Sequence, residues 1–251
     1  MASRPLRFGP FHVPRINRIG QGHSPRPALS ACRVPAGCLL PLSFSGESLE
    51  TLIYPSSLSG RFASLIDVSF GTFRGFVRLV LGELEYLSGR LAPFVALRPE
   101  KVQRLVFVCL GNINRSAFGA AVSTAMGVRT ASIGLSTTTG HPAFEKAIQT
   151  APVYGYDLGT HRATDFTDYT YQPGDLLLAM EVRHARELVR RGIPAEAVIL
   201  LGHWARPHRI HIHDPHQHTD AYFRTCFAVI HSAVANLVEQ LREAGSPCVE
   251  R

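Results

Sequence analysis

From Val102 onward, short apolar runs with strand character alternate with helix-patterned stretches. That alternation most limits the folds open to this chain. Strands are read at Leu105–Val108, Thr130–Ile133, Asp175–Ala179 and Ala197–Leu201. Helices are read at Ser116–Met126, after Pro142, at Val182–Arg191 and at Ala221–Arg242. Strands separated by helices cannot close tight hairpins with one another. They pair in parallel through right-handed crossovers, with helices on both faces of the sheet. The expectation is an α/β three-layer sandwich over residues 101–245.

The first strand runs into LVFVCLGNINRSA, Leu105 to Ala117. In an open parallel sheet, ligands bind beyond the carboxyl ends of the strands, near helix N-termini. Cys109 stands at that point, and Arg115-Ser116 opens the next helix. The intervening Leu110, Gly111, Asn112, Ile113 and Asn114 are enough chain to curl into a loop whose backbone N–H groups converge, a nest that binds anions. Gly111 is expected to supply the backbone freedom, while Asn112 and Asn114 tolerate left-handed backbone and tie loops internally. The Arg115 guanidinium is a planar fork matched to phosphate. A positive field that holds phosphate also favours a thiolate, and Ser116 could donate to the sulfur. These residues predict an in-line nucleophile beneath a phosphoryl group, and so a phosphocysteine intermediate.

Such chemistry needs an acid for the leaving oxygen. HIHDPHQHTDAYFR, just before the closing helix, offers Asp214, with Pro215 fixing the local backbone. Asp220 is the expected N-cap of the closing helix. His203, His208, His211, His213, His216 and His218 crowd the same region, but acidic or cysteine co-ligands at convincing spacing are missing. No metal or other cofactor is expected, and the histidines are read as tuning pH dependence or touching substrate.

Charge narrows the partners. Residues 1–100 carry 11 Arg and Lys against 6 acids, whereas 101–251 carry 15 against 13. The α/β part is thus nearly neutral, which argues against a nucleic-acid surface. Five irregularly spaced cysteines read as neither a disulfide framework nor paired zinc ligands, and a cytoplasmic, reducing location is expected.

The N-terminal part differs. The first 46 residues hold six arginines, seven prolines and no acid. Residues 1–60 are therefore read as a disordered extension or a mis-assigned start. Residues 61–100 are read as a helical segment. Within it, TFRGFVRLVLGELEYLSGR (72–90) places Phe73, Phe76, Val77, Val80, Leu81, Leu84 and Leu87 at three- and four-residue spacing. This apolar face is expected to pack on the following domain rather than on a membrane surface. The polar positions mix Arg74, Arg78 and Arg90 with Glu83 and Glu85, so anionic lipid would gain little.

CLGNINRS with a downstream Asp-Pro resembles the low-molecular-weight protein tyrosine phosphatases, over about Val102 to Leu241. The resemblance implies a four-stranded parallel sheet and metal-independent hydrolysis of phosphotyrosine-like monoesters, on a protein or a small aryl phosphate. It implies Cys109 as nucleophile, Arg115 as phosphate clamp and Asp214 as acid then base, with Asn112 holding the loop and Ser116 stabilising the thiolate. Ala179-Met180-Glu181 falls where the family has a short Met-acid segment. Two features depart from the pattern. Asn114 stands where many members carry a second, protective cysteine. The aromatic wall for the substrate ring is absent from SIGLSTTTGHPAF before Phe144, and His216-Gln217 follow Asp214-Pro215. Tyr222, Phe223 or the N-terminal segment are the candidates to replace it. The alternatives are arsenate reduction on the same scaffold, for which Cys226 and Cys248 are poorly placed; phosphoarginine hydrolysis, disfavoured by Ile113; and a non-catalytic phosphate-binding or scaffolding module.

Overall fold

Residues 58–249 are described by a computed structural model of the chain. The reading of residues 1–57, with Cys32 and Cys38, lies outside the described residues.

Strands β1 (Arg104–Cys109), β2 (Thr130–Gly134), β3 (Asp175–Ala179) and β4 (Val198–Leu200) form one parallel sheet in the order β2-β1-β3-β4. The apolar runs predicted these strands because a strand covered on both faces has no polar side to show. In central β1, Leu105, Phe107 and Cys109 face a core shared with α3 (Arg115–Ala125) and α6 (Asp220–Glu243). Val106 and Val108 face the opposite core, shared with α5 (Val182–Arg190). Phe118 of α3 stacks on Phe227 of α6 with ring centroids 3.9 Å apart, which locks the first core under β1. The short α4 (Glu145–Thr150) packs against α6. Among the described helices, α6 is long and apolar enough to suit a bilayer. Its Phe223, Phe227, Ile230, Val234 and Leu237 are nevertheless fully buried in the protein core.

The closing helix is capped differently from expectation. Thr219, not Asp220, is the N-cap, its hydroxyl accepting from the Tyr222 amide at 3.3 Å. Asp220 is the first helical residue, where its charge faces the positive helix end and pairs with Lys146 Nζ at 2.9 Å.

The chain before the sheet forms α1 (Leu58–Phe70) and α2 (Phe73–Leu87), joined at Gly71. Gly71 has φ 75°, and a Cβ there would meet the Tyr222 ring at 2.6 Å, so the turn and the close approach both require glycine. Thr72 caps α2 by accepting from the Gly75 amide at 3.0 Å.

The packing expected of α2 is reversed. Its buried positions are Gly75 and Gly82, and the apolar stripe points outward, with Phe73 64% and Leu87 78% exposed. The cause is the surface it meets, the His-rich segment before Asp214. A Cβ on Gly75 would meet the His213 ring at 2.8 Å, and one on Gly82 would meet Ile210 at 2.8 Å. Large side chains cannot enter so close an approach. Polar contacts complete the seat: Glu83 accepts from the Ile210 amide at 3.0 Å and lies 3.2 Å from His208 Nδ1, while Arg186 pairs with Glu85. Apolar anchorage comes from elsewhere. Ile66 of α1 and Leu91, just beyond α2, are the buried residues, and Leu91 enters the α5-side core.

Candidate active site

The loop from Cys109 to Ser116 is held from outside by its carbonyls. Cys109 O and Leu110 O accept from the amides of Leu135 and Ser136, Ile113 O accepts from Phe144 N, and Asn114 O accepts from Phe118 N. Asn112 O accepts from His161 Nε2 at 2.7 Å, which assigns the proton to that nitrogen. In a trans peptide the N–H points opposite the C=O. Tying these carbonyls outward therefore turns the amides of Gly111, Ile113 and Asn114 toward the loop centre, the nest that an anion requires.

Asn112, fully buried, is the residue that bends the loop, with φ 51°. Gly111 needs no such freedom, since its φ is not positive and a Cβ would find only Ile113 at 3.5 Å. The freedom expected of Gly111 is thus not used, and of the two asparagines expected to tolerate left-handed backbone, Asn112 adopts it. The glycine that is sterically required is Gly134 on β2, opposite Cys109, where a Cβ would meet Leu110 O at 2.9 Å.

The side chain of Asn112 also orients the nucleophile's neighbours. Thr164 N donates to Asn112 Oδ1 at 2.9 Å, which fixes the amide group. Asn112 Nδ2 then donates to Ser116 Oγ at 2.9 Å. Ser116 thus already accepts one bond, and toward a thiolate at Cys109 Sγ, 2.9 Å away, it is the partner with a proton to donate. The Asn112 amide, 3.2 Å from Sγ, is a second donor. Two donors converging on one sulfur stabilise an anion there.

Arg115 is 0% exposed and engaged on three sides. Nη1 donates to Glu181 Oε1 at 2.6 Å and to Ile212 O at 2.9 Å, and Nη2 donates to Asp214 Oδ2 at 2.7 Å. Its Nε has no partner among the described residues. Glu181 is buried behind the guanidinium. Burial works against its charge, yet Arg115, with His184, Arg183 and His211 adding, outweighs that and holds the carboxyl well below the usual range. His184 and His211 lie 3.8 and 3.6 Å from the same carboxylate. Burial, with Arg115 adding, pushes His184 down to about 3, and burial pushes His211 down to about 4. Both are neutral at neutral pH. Burial would also raise Asp214, but Arg115 and the His216 amide, 3.2 Å from Oδ1, keep it low.

The structure thus joins Cys109, Asn112 and Ser116 in one hydrogen-bonded group, and Arg115 ties Glu181 and Asp214 into a second. Leu110 stands 43% exposed at its rim, and Ile113 is half-buried beside Phe144. His161, Thr164 and His184 were not assigned roles from the sequence, His211 was read only as one of the clustered histidines, and Glu181 appeared only as part of a family segment. The histidines fall into separate groups and do not converge on one point: His203 and His208 lie beside Tyr86, His211 and His218 flank His213 against α2, and His216 lies beside Phe144. Among the described residues no group of three or more His, Cys, Asp and Glu side chains is arranged to hold a metal. Tyr222 and Phe223 are buried in the core, so neither walls a substrate ring. Phe144 and His216, with centroids 4.6 Å apart, are the aromatic pair beside the loop.

Residues 104–246 match the family model described as low molecular weight phosphotyrosine protein phosphatase. The chain is similar to the probable low molecular weight protein-tyrosine-phosphatase AmsI of Erwinia amylovora, 31% identical over 144 residues that cover 56% of this chain and 98% of the relative. It is also similar to low molecular weight protein-tyrosine phosphatase A of Mycobacterium tuberculosis, 29% identical over 151 residues, 55% of this chain and 91% of the relative. Among solved structures, the Erwinia amylovora tyrosine phosphatase amsI aligns with a TM-score of 0.50 at 29% identity, over 58% of this chain and 97% of that one. The YwlE arginine phosphatase from Geobacillus stearothermophilus, with a TM-score of 0.50 at 24% identity over 57% and 94%, shares the fold.

Proposed function

As a member of the low molecular weight phosphotyrosine protein phosphatase family, to which residues 104–246 assign it, the chain is a protein-tyrosine-phosphatase, and we propose that it acts through a phosphocysteine on Cys109. The observation that carries this reading is the Ser116–Cys109 contact at 2.9 Å, with Asn112 supplying the second donor to sulfur. In the proposed first step, Sγ attacks phosphorus, the S–P bond forms and the ester P–O bond breaks. Asp214 gives its proton to the leaving oxygen. In the second step water attacks phosphorus, Asp214 takes the water's proton, and the S–P bond breaks to return the thiolate.

Arg115 has to change partners for this to work. A phosphoryl group entering the nest takes a fork edge of the guanidinium, Nε and Nη2, and Nη2 is the donor that now holds Asp214. Losing that donor frees Asp214 from the cation that holds its pKa down, while a phosphate dianion arrives beside it. Both changes favour the protonated carboxyl that the first step needs. Glu181 and Ile212 O keep Nη1 fixed throughout. The proposed substrates are phosphotyrosine-containing proteins or small aryl phosphates, with Leu110, Phe144 and His216 beside the ring. A reducing, cytoplasmic location belongs to the same proposal, because the nucleophile must remain a free thiol.

The sequence alternative of arsenate reduction draws no support from the relatives above. Cys226 is buried in α6, and burial pushes its thiol up to about 12, a poor relay. The test is hydrolysis of p-nitrophenyl phosphate in excess EDTA by the full chain and by Cys109→Ser. Turnover in EDTA that the serine variant lacks, with oxyanion binding retained, is the expected result. Loss of activity in EDTA with recovery on zinc would overturn the mechanism.

A further inference from the structure

The outward face of α2 is the feature that the phosphatase chemistry leaves unused. Phe73, Val77, Val80, Leu81, Leu84 and Leu87 are all exposed. At 1.5 Å per residue, the 15 residues of α2 make a stripe roughly 22 Å long. On α1, Leu65 is 64% exposed as well. Single exposed apolar residues are ordinary, but a contiguous stripe along a helix marks a surface that something covers.

The charges around the stripe say what. Read along the sequence, two acids and three arginines balance, but the structure sorts them. Glu83 and Glu85 turn to the protein, where the Ile210 amide, His208 and Arg186 engage them. Arg74, Arg78 and Arg90 are exposed and have no ion-pair partner among the described residues. Arg78 also borders a groove at the stripe's flank, where Arg183 and Arg186 are already paired with Glu181 and Glu85, which leaves Arg78 as the unpaired charge there among the described residues. The face that α2 offers outward is therefore apolar with an arginine edge, and Asp67 of α1 is the exposed acid of the hairpin. A second copy of the chain is a poor match, since the stripe carries no acids to meet the partner's arginines. An anionic lipid surface is a good one. The apolar stripe enters the headgroup boundary, and the arginines meet lipid phosphates.

We propose that α2 seats the protein on an anionic membrane surface by this face. The proposal goes beyond the phosphatase reading and does not depend on it.

The experiment is flotation of the full chain with vesicles of phosphatidylcholine alone and of phosphatidylcholine mixed with phosphatidylglycerol. The chain should float with the mixed vesicles and much less with the neutral ones. Leu81→Glu/Leu84→Glu changes exposed side chains only, so turnover of p-nitrophenyl phosphate serves as its folding control. Its partition should fall at least about tenfold. Arg74→Glu/Arg78→Glu should weaken binding to mixed vesicles by roughly fivefold or more per arginine and leave neutral vesicles unaffected. Absence of flotation, or equal flotation with both vesicle types, would overturn the proposal. So would flotation that both variants retain, which would move the contact to another part of the chain. A concentration-dependent dimer abolished by Leu81→Glu/Leu84→Glu, without vesicle binding, would assign the face to a second copy.

Discussion

In the Cys109–Ser116 loop the polar side chains are inside and the apolar Leu110 is at the rim. In α2 the apolar side chains are outside and two glycines are inside. Both regions invert the usual rule of burial, for different reasons. The loop buries Asn112, Ser116 and Arg115 because each finds a hydrogen-bonding partner, which removes the penalty of burying them. Helix α2 buries glycine because it must approach Ile210 and His213 closely, and the fit excludes larger side chains. Polarity decides the first case and shape the second. Both end at the same place: Ile212 O accepts from Arg115, while its neighbours Ile210 and His213 bear α2.

The sharpest test of the polar side of this contrast is Asp214→Asn. Turnover of phosphotyrosine should fall by roughly 10²–10⁴-fold, the usual worth of a general acid. Turnover of p-nitrophenyl phosphate, whose leaving oxygen needs less help, should fall much less. Steady-state rates on both substrates decide it. Equal losses would take the acid role from Asp214.

The shape side breaks at Gly82→Val. The added carbons collide with Ile210, and such overpacking costs about 1–3 kcal/mol. Because Ile210 leads directly into Ile212 and Asp214, kcat should drop together with the melting temperature. A variant that melts earlier but turns over normally would show that α2 does not brace the acid segment.

A smaller effect is expected from pH. His184 and His211 titrate at about 3 and about 4 in the folded protein, against about 6.5 when unfolded. Between those values the unfolded chain binds more protons, so stability rises with pH and is lost as pH falls from about 6.5 toward 4. Each histidine removes at most about 1.4 kcal/mol per pH unit in that window. Glu181 and Asp214, held low, contribute losses only below the ordinary carboxylate range. Melting at pH 7 and pH 5 should differ, and His211→Asn should shrink the difference. An unchanged difference would place the acid sensitivity elsewhere.

The smallest effect tests the exposed stripe. Leu84→Ser should shift stability by no more than about 0.5 kcal/mol, as for other exposed sites. A larger loss would mean that the stripe is covered in the folded chain.

These cases also show what could be read from residues alone. Strands β1, β3 and β4 were legible because their interiors are buried on both faces and so read as apolar runs, while the half-buried β2 keeps Thr130 and Ser132. The nucleophilic loop was legible because its parts lie within eight consecutive residues. His161 and Thr164 were not, because they reach Asn112 across about fifty residues of chain and look like ordinary loop residues. Backbone freedom was expected of Gly111 and tolerance of left-handed backbone of Asn112 and Asn114; of the three, Asn112 carries the positive φ. For α2, periodicity located the helix but could not orient it. A 3.6-residue repeat tells which side chains share a face, and the partner surface decides which face turns inward.

The bond from Arg115 to Asp214 has a consequence for the end of the catalytic cycle. A carboxylate is already hydrogen-bonded to Nη2, on the guanidinium edge that a phosphoryl group would take. Inorganic phosphate leaving after hydrolysis competes with this internal anion, whose effective concentration is fixed by the chain and does not fall on dilution. Part of the attraction for phosphate is thus cancelled by the bond that must break when it binds. The chain carries its own displacer of product, and the residue proposed as its acid is the displacer.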